Sequence, residues 1–323
     1  MKNYKVIDMH CDTITALYHY GKDFVDNDMH ISLNKLEKGQ YMAQCFAMFV
    51  NLKYTDRPFE TCNKYIDKYE EVMIQNSGRI RKVTTAEEIE KNASEGIISA
   101  VLTTEEGAVL EGRLENIDKL YDRGVRMMTL TWNYENELGY PNYMSEPPFR
   151  ADTVRGLKPF GFEAINRMWE KGIIVDVAHL NDAGIYDVLS CAQKPIVASH
   201  SNCRAVQDIP RNLTDDMILK LKANGGVMGL NYCPDFVSDD TAGDQITDLV
   251  RHIKHVKDLA GIETIGLGSD FDGIDTPNGL SDCSKMELLY DALVKEGFTQ
   301  EEIDCVFYKN FLRVFKENES SGN

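Results

Sequence analysis

The chain lacks any apolar run of about 18 residues, the length that marks a membrane-spanning helix. It also lacks a Cys-x-x-Cys pair, an internal repeat, a low-complexity tract and a Pro/Gly/Ser-rich linker. Its eight cysteines (11, 45, 62, 191, 203, 233, 283 and 305) are irregularly spaced. That spacing excludes a disulfide framework or a zinc ribbon and leaves free thiols in a reducing compartment. Basic residues are scarce beside acidic ones, 35 Lys+Arg against 52 Asp+Glu, for a formal charge of −17. Such a balance argues against nucleic acid and anionic membranes as partners. No charged-then-apolar leader precedes the first strand-like run, so a cytoplasmic location is expected.

What remains is an ordinary globular composition, 43% hydrophobic and 27% charged over 323 residues. With nothing to divide it, the chain reads as one domain, 1–323, with residues 317–323 expected to fray. The stretch 172–212 organises it. Two short β-branched runs, Gly-Ile-Ile-Val-Asp-Val-Ala-His179 and Pro-Ile-Val-Ala-Ser-His200, flank a helical pattern, and each ends in histidine. Runs of that kind read as neighbouring buried parallel strands, whose C-terminal ends share one mouth. Two histidines so placed can converge on a metal ion.

Six further runs alternate with helical patterns: 6–9, 42–50, 96–102, 125–131, 226–231 and 264–269. Eight such units predict an α/β fold of the TIM-like (β/α)8 barrel kind, with its chemistry at the strand C-termini. Helix starts are marked by capping-box patterns at Thr85–Glu88 and Thr299–Glu302 and by Thr214. The candidate ligands fall at the predicted mouth. His10 and Asp12, two apart, share a strand face. Glu106, before Gly107, is a carboxylate placed to bridge two ions, with a helix-terminal carboxylate as the alternative role. Asp270 is the candidate acid/base; Asp272 lies past the strand end, where it can cap a turn.

In the loop after His200, Arg211 is the candidate fork for a substrate carboxylate, with Arg204 competing. His252 and His255, among Arg251, Lys254 and Lys257, read as a solvated helix face. The long stretch from Trp132 to Arg150, with Tyr140, Asn142, Tyr143, Pro147 and Pro148, reads as a substrate-covering loop. The ligand inventory exceeds one tetrahedral zinc and suits two metals about 3.5–4 Å apart, which would make hydroxide available at neutral pH.

Taken together, the motifs Asp8-Met-His10-Cys-Asp12, Glu106-Gly107, Thr129-Leu-Thr131, Gly156-Leu-Lys-Pro-Phe-Gly161, Asp176-Val-Ala-His179, Ser199-His200-Ser201, Arg211-Asn212 and Gly268-Ser-Asp270-Phe-Asp-Gly273 resemble the membrane (renal) dipeptidase family. The resemblance runs in order to Asn310-Phe-Leu-Arg-Val-Phe315, nearly the whole chain. It implies a zinc dipeptidase on a TIM-like barrel, usually a homodimer, that takes small peptides and tolerates a D-residue at the C-terminal position. It implies two Zn2+ per chain, one on His10 and Asp12, one on His179 and His200, bridged by Glu106. Asp270 matches the acid/base and Arg211 the carboxylate clamp. Two departures stand out. Trp132 takes the place of a histidine that in mammalian members contacts substrate, leaving the neighbouring Asn133 as a candidate donor. The membrane attachment in the family's name is not expected here. Hydrolysis of another amide (an N-acyl amino acid or a lactam) and non-catalytic metal or peptide binding are the competing readings.

Overall fold

In the computed structural model, residues 4–142, 150–241, 243–275 and 279–319 are described. Their strands are β1 (Val6–Asp8), β2 (Tyr41–Phe49), β3 (Ile80–Val83), β4 (Ile98–Glu105), β5 (Val125–Thr129), β6 (Ile174–Asp176), β7 (Val197–Ser201), β8 (Val227–Leu230) and β9 (Ile265–Leu267). All named pairings are parallel. The order β2-β1-β9-β8-β7-β6-β5-β4, with β2 also paired to β4, closes eight strands into a barrel. Each predicted run supplies one of these eight. The ninth, β3, is an addition the sequence reading missed. Its four residues pair outside the ring with the start of β4, where β5 has not yet begun. A run as polar as Ile-Arg-Lys-Val carries little period-2 signal.

Side-chain alternation divides the core into two. Inside the barrel, Ile7, Met9, Val101, Met127, Ile174, Val197 and Val227 pack together. Phe311, Val314 and Phe315 of the last helix join them against the beginnings of β6, β7 and β8. Outside, Ala100, Leu102, Phe46 and Met48 meet the helix layer. In that layer the helix Pro58–Gln75 buries Cys62, Tyr65, Ile66, Tyr69, Val72 and Met73, the helical spacing the sequence displays. Both capping boxes form, and Thr214 caps the helix Asp215–Asn224 by accepting from Met217 N–H. Each such cap is worth about 1 kcal/mol.

Three expectations need correction. His252 is fully buried rather than solvated: its ring bonds Cys203 N–H at 3.1 Å and lies 2.9 Å from Val237 O. His255 is half-buried and pairs with Asp215. Residues 317–318 do not fray. They complete the helix Asn310–Asn318, and Asn318 Nδ2 donates to Pro195 O, which pins the end. The remaining tail, 320–323, lies outside the described residues, as do Tyr143, Pro147 and Pro148 of the expected covering loop. The described part of that loop is packed. Asn142 donates to Asp182 and to Pro210 O, and Pro141 bridges Leu180.

The barrel is tightest around the carbonyl of Ser199. A Cβ on Gly268 would stand 1.7 Å from Ser199 O and one on Gly229 1.9 Å from it. Neither distance is compatible with any side chain, so β8 and the residue just after β9 must pass this carbonyl as glycine. Gly268→Ala should therefore destabilise the protein by about 3 kcal/mol in chemical denaturation and displace the neighbouring His200. Wild-type stability in that variant would contradict this packing account.

Candidate active site

Five elements deliver the site to the C-terminal mouth. His10 and Asp12 follow β1, Glu105 ends β4, His179 follows β6, His200 lies in β7, and Asp270 follows β9. The backbone is strained where it aims these groups. His179 has φ +66° and Asp270 φ +65°, left-handed values that cost a non-glycine residue of order 1–3 kcal/mol.

The imidazoles face one another. His179 Nε2 lies 2.9 Å from His200 Nε2, and the His10 and His200 rings have centroids 3.9 Å apart. Glu105 wedges between them, with Oε1 3.1 Å from His179 Nε2 and 3.6 Å from His200 Nε2. Its Oε2 is 3.4 Å from His10 Nε2. Ligand atoms of His10, Glu105 and His200 lie within 4.8 Å of one another, as do those of His10, Asp12 and Asp270. The histidines are fixed from behind. His179 Nδ1 meets Asn133 Oδ1 at 3.0 Å, an acceptor, so it carries the proton and Nε2 keeps its lone pair. His200 Nδ1 meets Ser199 Oγ at 2.7 Å, and that hydroxyl donates to Asp176 Oδ2 at 2.6 Å. Ser199 therefore accepts from His200, and again Nε2 faces inward with a free lone pair. Asp176 is held in turn by Thr129 Oγ1 and by the amides of Ala178 and Ser199.

Two inward lone pairs at 2.9 Å repel unless a cation lies between or beside them. His10 Nε2 and Asp12 Oδ1 are also buried without a hydrogen-bond partner among the described residues. Neutral imidazoles with carboxylates form a donor set suited to zinc and similar divalent ions. The residues fit a metal.

The electrostatics of the protein groups alone show the same demand. Burial drives His179 down to about 4, with Arg211 adding to it. Burial also holds His200 well below its ordinary value. His10 goes the other way, to about 10, because Glu105 and its acidic neighbours outweigh burial. Glu105 is held well below the carboxylate range: His10 and His179 overcome the burial that opposes ionisation. Burial pushes Asp270 up to about 6, with Glu105 reinforcing it. Asn231 Nδ2 donates to Asp270 Oδ2 at 3.1 Å.

Glu106, expected to bridge, does not enter the cluster; Glu105 lies there instead. Glu106 leaves the strand at φ +94° and turns behind the site. There its carboxylate accepts from Ala108 N–H, Trp132 N–H and Asn136 Nδ2 at 2.8, 3.0 and 2.5 Å. Alternation contained the signal. Ala100 and Leu102 face outward and Val101 inward, so a strand carried through to 105 points Glu105 inward. Ending the strand at Leu102 hid that parity.

The other expected groups are also located. Arg211 is buried, donating to Ser201 Oγ at 3.0 Å and His200 O at 2.9 Å, while its Nε–H has no partner among the described residues. Arg204 is occupied, doubly bonded to Asp182. Asp272 accepts from Thr13 Oγ1 and His30 N–H, away from the imidazoles. Trp132 and Asn133 line a cavity of about 950 Å³ that reaches Asp12, Glu105, His179 and Asp270.

The whole chain, residues 1–323, matches the family model described as Membrane dipeptidase (Peptidase family M19). The chain belongs to the membrane dipeptidase family. It is 32% identical over 314 residues to an uncharacterised dipeptidase of Schizosaccharomyces pombe, covering 90% of this chain and 72% of that one. It is 31% identical over 249 residues to an uncharacterised Klebsiella pneumoniae protein encoded in the pqqA 5′ region, covering 76% and 92%. Its fold superposes with TM-score 0.91 on a Rhodobacter sphaeroides metallopeptidase liganded with a phosphinate mimic of L-Ala-D-Ala, at 22% identity and 98% and 100% coverage. As a member of the membrane dipeptidase family it is a metallodipeptidase, and no helix of its described residues is long and apolar enough to cross a membrane.

The assignment of Glu106 to the framework has a direct test. Glu106→Ala removes the acceptor of three hydrogen bonds and should lower stability by about 2 kcal/mol in denaturant unfolding. Unchanged stability would contradict it.

Proposed function

We propose that this dipeptidase holds two zinc ions, one on His10 and Asp12, the other on His179 and His200, with the Glu105 carboxylate between them. The observation that carries the reading is the gathering of these buried side chains around His10 and Glu105, with imidazole lone pairs aimed at each other. When bound, the metals supply Lewis acidity toward the peptide carbonyl and ready ionisation of water. The chain's own residues do the rest. Arg211, with its unused Nε–H, holds the substrate's C-terminal carboxylate by charge-assisted hydrogen bonds. Asp270, oriented by Asn231, takes the proton of the attacking water and returns it to the leaving amine. Asn133 and the Asp176–Ser199 pair keep His179 and His200 in the tautomer that presents Nε2.

Tolerance of a D-residue at the C-terminal position belongs to this reading, supported by the L-Ala-D-Ala mimic bound to the similar Rhodobacter sphaeroides enzyme. A homodimer acting on small peptides goes with it through the family resemblance, and a cytoplasmic location through the free, irregularly spaced cysteines.

The substrate assignment is tested by initial rates on L-Ala-L-Ala, L-Ala-D-Ala, an N-acetylated dipeptide and a tripeptide. Both free dipeptides should be cleaved and the other two left intact. Arg211→Ala should lower kcat/KM on dipeptides about 100-fold, the worth of a lost charge-assisted pair. Equal loss on a neutral amide would instead favour general amide hydrolysis.

The metal assignment has a readout independent of turnover. Ser199→Ala should weaken zinc binding about 10- to 100-fold in chelator competition, and Ser199→Thr should restore it. Wild-type affinity in Ser199→Ala would contradict the relay.

A further inference from the structure

The cavity over the metal ligands is far larger than a dialanine requires. Its volume of about 950 Å³ lies at the upper end of the range, about 300–1,000 Å³, that holds drug-sized ligands. Most of the residues lining it lie on one side. Around the ring, Phe49 ends β2, Trp132 follows β5, and Tyr65 lies on the helix after β2. Tyr18 sits on the helix after β1. Arg211 follows β7 and Phe236 follows β8, across the mouth. With its carboxylate at Arg211, as proposed above, and its scissile bond over Glu105 and Asp270, a dipeptide would turn its N-terminal residue toward the β2–β5 side, where most of the lining lies.

That side is a prebuilt aromatic wall. The Phe49 and Trp132 rings meet edge to face at 4.8 Å, and Tyr134 backs Trp132 at 5.5 Å. Tyr18 and Tyr65 form a second edge-to-face pair at 5.1 Å. Partners outside the wall hold its hydroxyls: Tyr65 Oη lies 3.0 Å from His19 Nε2, and Tyr134 Oη donates to Asn51 Oδ1. Tyr54 stands at the rim, 77% exposed, a large ring with little packed against it until something enters.

We infer that the site selects dipeptides whose N-terminal residue carries an aromatic or other large apolar side chain, seated against Trp132 and Phe49. The inference rests on the dipeptidase reading and adds the substrate class. A ring placed there gains offset or edge contacts with Trp132 and Phe49, which small side chains cannot reach. Because the wall is formed before the substrate arrives, the contacts exist in ground and transition states alike and act mainly on KM.

The test is kcat/KM of the zinc-loaded protein on L-Phe-L-Ala, L-Ala-L-Ala and L-Ala-L-Phe. L-Phe-L-Ala should exceed L-Ala-L-Ala by about 10-fold or more, chiefly through KM, as expected for apolar pocket discrimination. L-Ala-L-Phe should show no such gain. Trp132→Ala should bring the ratio toward one, and Trp132→Phe should restore it in large part. A wild-type ratio at or below one, or a ratio that Trp132→Ala and Phe49→Ala leave intact, overturns the inference while leaving the dipeptidase reading standing. No turnover of any of the three overturns the dipeptidase reading, and this inference with it.

Discussion

Glu105 is the constraint on which the site depends. It inserts one carboxylate among three imidazoles, within 3.1–3.6 Å of each, at a point where water is nearly excluded. Burying such a group with Asp12 and Asp270 close by is costly unless positive charge is gathered around it. Arg211 supplies one fixed positive charge, with two of its N–H groups donating to His200 O and Ser201 Oγ. The inward lone pairs of His179 and His200 add no positive charge of their own. The cluster has the donor arrangement of a candidate metal site, and hydrogen bonds from the surrounding structure keep it aimed.

That supporting structure begins two layers back. Thr129 on β5 donates to Asp176 on β6, which accepts from Ser199 on β7, which accepts from His200. One chain of hydrogen bonds thus links three neighbouring strands to one imidazole. Glycines in β8 and beyond β9 let the Ser199 carbonyl approach closely, so packing and polar support act on the same residue. Buried networks of this kind are worthwhile only when every member is satisfied, and here each has a partner.

The fold was legible because the barrel's strands are buried on both faces and stand out as short apolar runs between amphipathic helices. Only β3 escaped, since a strand outside the ring carries no such run. The histidines, Asp12 and Asp270 were legible because each follows or ends an apolar run. Choosing between Glu105 and Glu106 needed one fact that local pattern did not supply, namely how far β4 extends before the chain turns. A single residue of register exchanges a carboxylate among the imidazoles for one in the framework. The roles of Asp176 and Ser199 were hidden for a different reason: a buried acid inside an apolar strand announces that it needs partners but not which ones. His252 shows the converse, a histidine among charged neighbours that is buried because the helix face it occupies turns inward.

The proposed metal ligands are His10, Asp12, Glu105, His179 and His200, and not Glu106. Anomalous-scattering crystallography of the zinc-loaded protein tests this assignment most directly. Two peaks should flank the Glu105 carboxylate, one bonded to His10 and Asp12, the other to His179 and His200. A peak bonded to Glu106, or no peak between the imidazoles at saturating zinc, would contradict it.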